Sequence, residues 1–377
     1  MQRYLEKEII RDLKKKMVIL TGPRQVGKTY LSKQIAEQFN QPQYMNYDND
    51  ADISIVDNSR WSMDADFLIF DELHKKKNWK AFLKGTYDKK STGQSILVTG
   101  SSRMETFRQS GESLAGRYYH FRLHPLSVKE LGDQLSPHEA LKNLIALGGF
   151  PEPFLTGSED EANRWRKQYY SDLIREDILE FSRINEIRTM RLLLELLRKR
   201  VGSPLSYRSL AEDLHVSPNT VRHYVDILET LYIVFLLRPH HKNISRSIQK
   251  EPKLYFYDSG YVIGDEGVKL ENTVALCLLK HTHFLQDAKG KDITLSYIRT
   301  KEKKEIDFVL IEDEDVRELI EVKSSDKNPS RDLLYFKSRL RNVKAVQVVM
   351  NLRDQEYYRE KDIHVVKAGE YLARLKA

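Results

Sequence analysis

The sequence predicts an α/β protein that is divided into two or three domains. Its 377 residues exceed the roughly 250–300 residues at which a single hydrophobic core stops growing. Near the N-terminus, a strand-like run leads into a glycine-bounded loop and then a helical pattern. Two more strand-like runs flank an acidic turn in the last third of the chain. Strands that alternate with helices are typical of α/β folds.

Composition and charge indicate which partners and which cellular compartment are compatible with the sequence. A net charge of +7 and a pI near 9.1 favour acidic partners such as nucleic acid. Cys277 is the single cysteine of the sequence, so an intrachain disulfide is excluded. Its apolar neighbours indicate a buried thiol. No segment approaches the ~18–20 consecutive apolar residues of a membrane span, and the N-terminus lacks the apolar part of a signal peptide. We therefore expect a cytoplasmic protein without a membrane partner.

The phosphate-binding motif GxxxxGK[ST] is complete in "GPRQVGKT" at residues 22–29. A strand-like run at residues 17–20 precedes it, and apolar residues at 31, 35, 36 and 39 have the spacing of one helix face. In such a loop the backbone N–H groups surround phosphate, the lysine reaches the β- and γ-phosphates, and the threonine ligates Mg²⁺. The predicted nucleotide-binding residues are Gly22, Pro23, Arg24, Gln25, Val26, Gly27, Lys28, Thr29 and Tyr30.

Three later runs supply further candidate residues. "FLIFDE" is typical of a buried parallel strand that ends in acids, where Asp71 would belong to the Mg²⁺ shell and Glu72 would polarise the attacking water. "SILVTGSS" offers Ser101 or Thr99 to the γ-phosphate or the water, although Gly-Ser after a strand is also a plain turn. Arg117 precedes another strand-like run and is either an arginine finger for a neighbouring subunit or an ordinary surface residue.

The series "GPRQVGKT", "FLIFDE", "LVTGSS", "LAGRYYHFRLHPLS" and "GGFPEPF" resembles the AAA-like ATPases of prokaryotes (AAA_14 type) that carry a C-terminal DUF4143 domain. The resemblance implies ATP as the substrate and a P-loop AAA+ ATPase core. It also implies Glu72 as catalytic base, Ser101 near the sensor position and Arg117 as arginine finger. Such a finger acts between subunits, so we expect a homo-oligomer.

The middle of the chain is helical in pattern. Residues 126–191 are interrupted by "LGGFPEPFL" and are predicted to form the small helical lid of the ATPase. Further on, Ser206 and Ser217 are predicted N-caps of two short helices separated by a tight turn, a helix-turn-helix whose neighbouring strands make it winged. Its second helix would present Asn219, Arg222 and His223 outward. DNA contact and a structural, protein-binding role are both compatible with this pattern.

A second group of candidate residues lies in "EIDFVLIEDEDVRELIEVK". A hairpin centred near residues 313–314 would place Asp307 opposite Ile320 or Glu321, and strand alternation puts Lys323 on the face of Glu321. Two carboxylates and a lysine on one sheet face can bind Mg²⁺ and orient water for phosphodiester attack. A helix predicted upstream offers Glu271 near its start.

The order Glu, Asp, Glu-x-Lys resembles the PD-(D/E)XK nuclease superfamily, which implies a C-terminal α/β domain with Glu271, Asp307 and Glu321 as metal ligands and Asp307, Glu321 and Lys323 as catalytic residues. Members of this fold also serve as inactive binding scaffolds. The predicted segments are the ATPase core (1–125), the lid (126–190), the winged helix-turn-helix (191–258) and the nuclease-like domain (259–377).

Two functional hypotheses follow. The first is an ATPase coupled to a DNA-binding, metal-dependent nuclease-like module. The second is a regulatory ATPase whose C-terminal domain only binds DNA or protein. A small-molecule kinase is disfavoured, because the long C-terminal part would then have no role.

Overall fold

A computed structural model describes residues 1–100, 114–175, 184–240, 251–340, 342–358 and 361–377. The chain separates into two compact units. The first comprises Met1–His124 with Thr230–Tyr232 and Asp287–Lys289, and the second comprises Pro125–Glu229, Ile233–Gln286 and Gly290–Ala377. The predicted boundaries at residues 190 and 258 stay predictions. Within the described ranges, no helix is long and apolar enough to cross a membrane.

The first unit is an α/β layer structure around one parallel sheet. Its elements in chain order are α1 (Glu6–Leu13), β1 (Met17–Thr21), α2 (Lys28–Ala36), β2 (Pro42–Asn46), α3 (Asp50–Asp57), β3 (Phe67–Asp71), α4 (Trp79–Lys89), β4 (Ser95–Thr99) and β5 (Tyr118–Arg122). The five strands lie in the order β2-β3-β4-β1-β5. The structure thus confirms the predicted strands in "MVIL", "FLIFDE" and "SILVTGSS".

The central strands are continuous apolar runs because helices cover both faces of a parallel sheet. Every residue of β1, β3 and β4 is buried. Val18 pairs with Leu97, and Val98 pairs with Phe70, so the three strands are in parallel register. Their carboxyl ends therefore meet at one sheet edge, which receives the loop after β1, the acids after β3 and the end of β4.

The second unit begins with helices, and two of them lie where the sequence predicts the helix-turn-helix. In the described residues between 125 and 230 the helices are α5 (Val128–Leu131), α6 (Pro137–Leu147), α7 (Pro151–Thr156), α8 (Glu159–Leu173), α9 (Ile184–Arg198), α10 (Tyr207–Leu214) and α11 (Pro218–Thr230). Ser206 and Ser217 accept hydrogen bonds from the backbone N–H groups of Ser209 and Thr220, which confirms both as N-caps. The antiparallel strands β6 (Val234–Leu237) and β7 (Lys253–Phe256) follow. The winged-helix assignment itself stays a prediction.

The C-terminal part is a mixed sheet that follows a long helix. The elements are α12 (Glu266–Lys289), β8 (Ile293–Arg299), β9 (Glu305–Glu312), β10 (Asp315–Lys323), α13 (Arg331–Lys337), β11 (Lys344–Val349), β12 (Glu356–Tyr358), β13 (Ile363–Lys367) and α14 (Ala368–Ala373). The strand order is β12-β13-β11-β10-β9-β8. Apolar residues of β9, β10, α13 and β11 form a buried core on one face.

The hairpin between β9 and β10 turns where the sequence predicts it. Asp315 pairs with Glu312, which leaves Asp313 and Glu314 as the two turn residues. Both have positive φ angles, 52° and 68°, as a two-residue type I′ turn requires. A β-bulge between Val316 and Glu318 then shifts the register by one residue, so that Ile320 lies opposite Phe308 and Asp307 comes to the level of residue 321.

Candidate functional site

The loop after β1 has the backbone that a phosphate cradle needs. Gly22 has φ +145°, and a Cβ there would lie 2.3 Å from the carbonyl oxygen of Leu123. Gly27 is the N-cap of α2 in a left-handed conformation, with φ 97°. A Cβ at position 22 would clash with backbone, and a side chain at position 27 would strain the left-handed conformation, so the geometry favours glycine at both positions of the motif.

Lys28 lies at the start of α2 with its side chain folded over the loop. Its Nζ donates hydrogen bonds to the carbonyl oxygens of Gly22 (3.0 Å) and Pro23 (2.7 Å). Burial lowers the pKa of Lys28 to about 8, against the opposing effect of the carboxylates of Glu72 and Asp71. The ammonium is therefore a desolvated cation beside the loop, and such a cation attracts an anion more strongly than one in water does.

Asp71 is the buried acceptor at the centre of this edge. The hydroxyls of Thr29 (2.8 Å) and Tyr44 (2.5 Å) donate to its Oδ2, and the hydroxyl of Thr99 donates to its Oδ1. Thr29 lies in the first turn of α2, Tyr44 in the middle of β2 and Thr99 at the end of β4, so three elements around β3 supply the donors. The carboxylate and the Thr29 hydroxyl are hard oxygen ligands that suit Mg²⁺.

Glu72 follows directly and adopts a left-handed backbone conformation, with φ 54°. Its Oε2 lies 3.3 Å from Nδ1 of His74. Burial raises the pKa of Glu72, while Lys28 opposes the shift. A carboxylate with a raised pKa that remains partly exposed is suited to accept a proton from water.

The other predicted loop residues differ in their environment. Pro23 and Val26 are buried, whereas Gln25 and Tyr30 are exposed and Arg24 is half-buried. Arg3, which the sequence did not single out, donates to the carbonyl oxygens of Val26 (2.7 Å) and His124 (2.6 Å). These hydrogen bonds connect the loop, through Val26, to a residue outside the motif.

Arg117 is not brought to the loop of its own chain. The N–H of Met17 donates to its carbonyl oxygen, so Arg117 lies at the amino edge of the sheet, about 15 Å along β1 from the loop. Its guanidinium makes hydrogen bonds of 2.8 and 3.1 Å to Asp88. Ser101, predicted near the γ-phosphate, lies outside the described residues.

In the second unit, strands β9 and β10 bring the predicted C-terminal residues onto adjacent strands. Oδ2 of Asp307 accepts a 2.9 Å hydrogen bond from the N–H of Val322, and Lys323 forms a 2.8 Å ion pair with Glu321. The ion pair confirms that Glu321 and Lys323 share a face. Glu271 lies on α12, as predicted, and its Oε1 accepts a 2.7 Å hydrogen bond from the hydroxyl of Tyr255.

An unpredicted lysine lies among these acids. The Nζ of Lys253 is 2.6 Å from Glu305, 3.5 Å from Glu271 and 3.6 Å from Asp307, and its side chain is 1% exposed. Burial alone would lower the pKa of Lys253, but the three carboxylates outweigh burial and raise it. One feature of the sequence could have indicated this cluster of acids. Glu305 and Asp307 are two residues apart on one strand, so their side chains lie on the same face of the sheet.

The carboxylates do not form a metal cluster in this arrangement. Across the described ranges, no group of three or more His, Cys, Asp or Glu side chains is placed to hold a metal ion. Burial, and then the charge of Asp307, raise the pKa values of Glu271 and Glu321. The predicted metal ligands Glu271, Asp307 and Glu321 stay predictions. Two of them, Glu271 and Asp307, lie within 3.6 Å of the Lys253 ammonium, whereas Glu321 pairs with Lys323.

Comparison with protein families divides the chain in the same order as its motifs. Residues 14–132 match a family described as an AAA domain, and residues 266–371 match the domain of unknown function DUF4143. Residues 138–264 match a further domain of unknown function, DUF8612. The N-terminal part is thus an AAA-like ATPase domain, which confirms that part of the predicted resemblance.

Among curated proteins, the chain is similar to an uncharacterized protein of Mycobacterium tuberculosis, with 27% identity over 246 residues. That alignment covers 65% of this chain and 54% of the relative, so the match spans about half the length of that protein. An uncharacterized protein of Methanocaldococcus jannaschii is 25% identical over 390 residues, which cover 92% of this chain and 85% of the relative.

Among solved structures, the chain is similar to the Thermotoga maritima RuvB Holliday junction branch migration motor. The identity is 17%, the TM-score is 0.29, and the match covers 65% of this chain and 93% of that one. A STAND-class signal transduction ATPase from Pyrococcus horikoshii is 14% identical with a TM-score of 0.23, over 77% of this chain and 48% of that one.

Proposed function

We propose that the N-terminal unit binds ATP with Mg²⁺ and hydrolyses it. One observation carries the proposal: the hydroxyl of Thr29 and the buried carboxylate of Asp71 are joined by a 2.8 Å hydrogen bond at the mouth of a phosphate-binding loop. Threonine and aspartate together are the protein ligands that P-loop ATPases use for Mg²⁺.

The roles of the residues follow from their positions. The N–H groups of the loop and the start of α2 bind the phosphates of ATP, and Lys28 neutralises the charge that grows on the β- and γ-phosphates. Thr29 and Asp71 would hold Mg²⁺, which neutralises phosphate charge when it is bound. Glu72 accepts the proton of the attacking water, a role its raised pKa favours.

We further propose that Arg117 acts on the nucleotide of a neighbouring subunit. Its place at the amino edge of the sheet, beside Met17, is too far from its own loop for a direct contact. An arginine that stabilises the transferred phosphoryl group can be supplied by a second subunit. Hydrolysis in this account requires self-association.

Purified protein with Mg²⁺ and ATP tests the proposed activity. Wild type should release phosphate, whereas Lys28→Ala should neither bind ATP nor release phosphate. Lys84→Ala, which removes an exposed lysine of the same unit, is the matched control and should match wild type. Equal phosphate release by Lys28→Ala and Lys84→Ala would contradict the proposal.

DNA is the proposed partner of the second unit. Asn219, Arg222 and His223 are exposed on α11, the second helix of the helix-turn-helix pair. This is the helix from which such motifs contact base edges. Together with the excess of basic residues, this exposure supports a DNA-facing surface.

For the C-terminal domain, the position of Lys253 favours the binding scaffold over the metal-dependent nuclease. The order α12, β8, β9, β10, α13, β11 supports the nuclease-like fold, yet the acids that would catalyse cleavage contact a lysine. Incubation with plasmid, linear and single-stranded DNA, with Mg²⁺ or Mn²⁺, separates the two. The scaffold hypothesis predicts binding without strand breaks, and breaks that disappear in Asp307→Asn would restore the nuclease hypothesis.

A further inference from the structure

The carboxylates of Glu271, Glu305 and Asp307 converge on one buried atom of the chain. That atom is Nζ of Lys253, which lies 2.6 Å from Glu305 and within 3.6 Å of the other two acids. These residues come from β7, α12 and β9, so segments far apart in the sequence supply the cation and its partners. Three carboxylates thus surround one cation, and that cation is the ammonium group of Lys253.

Two contacts hold the lysine in this position. Its Nζ lies 5.4 Å from the centre of the Tyr297 ring, within range of a cation–π interaction. Lys253 also belongs to the two-stranded pairing of β7 with β6, opposite Leu237. The pairing fixes the backbone of Lys253, and its side chain is only 1% exposed.

The remaining charges of the cluster are also paired within the chain. Arg299 lies 3.2 Å from Oε2 of Glu305, and Lys323 lies 2.8 Å from Oε1 of Glu321. In the described ranges, three cations therefore face the four carboxylates of Glu271, Glu305, Asp307 and Glu321. A divalent metal would add two charges beside ammonium and guanidinium groups, a position that like-charge repulsion disfavours.

We propose that Lys253 takes the place of a divalent metal ion among Glu271, Glu305 and Asp307, and that this cluster is an ion-pair centre joining β7 to α12 and β9. The C-terminal domain then needs no metal for its structure. Breaking a buried ion pair by removing one partner is strongly destabilising, because the charge left behind is uncompensated. Lys253 should therefore be a major determinant of stability, and Mn²⁺ should find no site at the carboxylates.

Metal uptake is the first measurement. The full chain, treated with EDTA, dialysed and free of nucleotide, is titrated with Mn²⁺, and the free ion is counted by electron paramagnetic resonance. Wild type and Asp307→Asn should take up equal amounts of Mn²⁺. One additional Mn²⁺ per chain in wild type, lost in Asp307→Asn, would overturn the proposal. The measurement needs neither ATP nor hydrolysis, so failure of the ATPase proposal would leave it unaffected.

Thermal stability is the second measurement. Lys253→Met nearly keeps the length of the side chain and removes its charge. The midpoint temperature of thermal unfolding should be about 5–15 °C lower in this variant than in wild type. The matched control is Lys291→Met, which removes a lysine that is 47% exposed and forms a 2.7 Å pair with Glu312. That change should shift the midpoint by no more than about 2 °C. Equal midpoints for the two variants would overturn the proposal.

A double variant covers the case in which Lys253→Met does not fold. Lys253→Met with Glu305→Gln removes the lysine together with its nearest carboxylate, and it should be more stable than Lys253→Met alone. A double variant that is less stable than Lys253→Met would contradict the pairing. If neither folds, the Mn²⁺ comparison of wild type with Asp307→Asn still decides the question.

Discussion

Thr29 Oγ1 donates a 2.8 Å hydrogen bond to Oδ2 of Asp71, although 42 residues separate them in the sequence. The bond joins the first turn of α2 to the end of β3. The phosphate loop and the acidic end of β3 are therefore joined by a direct side-chain contact, and a cation bound beside this contact would meet two oxygens at fixed positions. This preorganisation leads to the first prediction.

Asp71→Asn should weaken binding of ATP in the presence of Mg²⁺ by roughly 10–100-fold, because a neutral amide replaces a charged oxygen in the metal shell. Binding of ATP in EDTA should change little, since Lys28 and the loop remain. Isothermal titration calorimetry with and without Mg²⁺ measures both. Thr29→Ser keeps the hydroxyl and is the control, and an equal loss in EDTA and Mg²⁺ would show a purely structural role for Asp71.

Binding of ATP should depend on pH through Lys28. Burial lowers the pKa of Lys28 to about 8, so the ammonium loses its charge as the pH rises through that value. Affinity for ATP should therefore be full at pH 7 and fall toward pH 9.5. Lys28→Arg carries a charge that persists over this range and should show a flatter profile. A wild-type profile as flat as that of Lys28→Arg would refute the assignment.

Arg117→Ala should bind ATP normally and lose turnover, because the residue lies at the amino edge of its own sheet, away from the loop. In wild type, turnover per chain should rise with protein concentration as subunits associate. Asp88→Ala removes the partner of Arg117 and should keep its turnover. Concentration-independent turnover by a demonstrated monomer would exclude action between subunits.

DNA binding should weaken steeply as salt rises, since displaced counterions drive the association of a basic protein. Arg222→Ala should lower the slope of log affinity against log salt by about 1 if Arg222 contacts a phosphate. Arg374→Ala, which removes an exposed arginine directly after α14, is the control. Filter binding at several salt concentrations measures the slopes. Equal slopes for both variants and wild type would remove Arg222 from the interface.

The parts of the fold that are local in sequence could be predicted. β1, the phosphate loop and α2 are contiguous, and each is encoded by apolar spacing or by glycine. The hairpin at Asp313 and Glu314 was equally local, because two turn residues between alternating runs fix the first pairs of the register. Continued without interruption, that register would place Asp307 opposite Ile320. A β-bulge between Val316 and Glu318, which the sequence did not reveal, moves Asp307 to the level of Glu321.

The residues that the sequence did not reveal are those that depend on distant packing. The hydroxyl of Tyr44 contacts Asp71 because β2 pairs with β3, and no sequence pattern around Tyr44 predicts that pairing. Lys253 lies 54 residues before Asp307, on a strand that the sequence assigned only to the wing. The location of an ion-pair partner across such a separation depends on the tertiary fold, which neither periodicity nor motif spacing specifies.

The central claim is that Glu72 removes a proton from water during hydrolysis of ATP by the N-terminal unit. Glu72→Gln keeps the shape of the side chain and removes its basicity, so a single comparison separates binding from chemistry. The measurement is phosphate release under single-turnover conditions, together with the dissociation constant for ATP and Mg²⁺. We predict unchanged ATP binding and a loss of about 100-fold or more in the hydrolysis rate. Hydrolysis by Glu72→Gln at the wild-type rate would contradict the account.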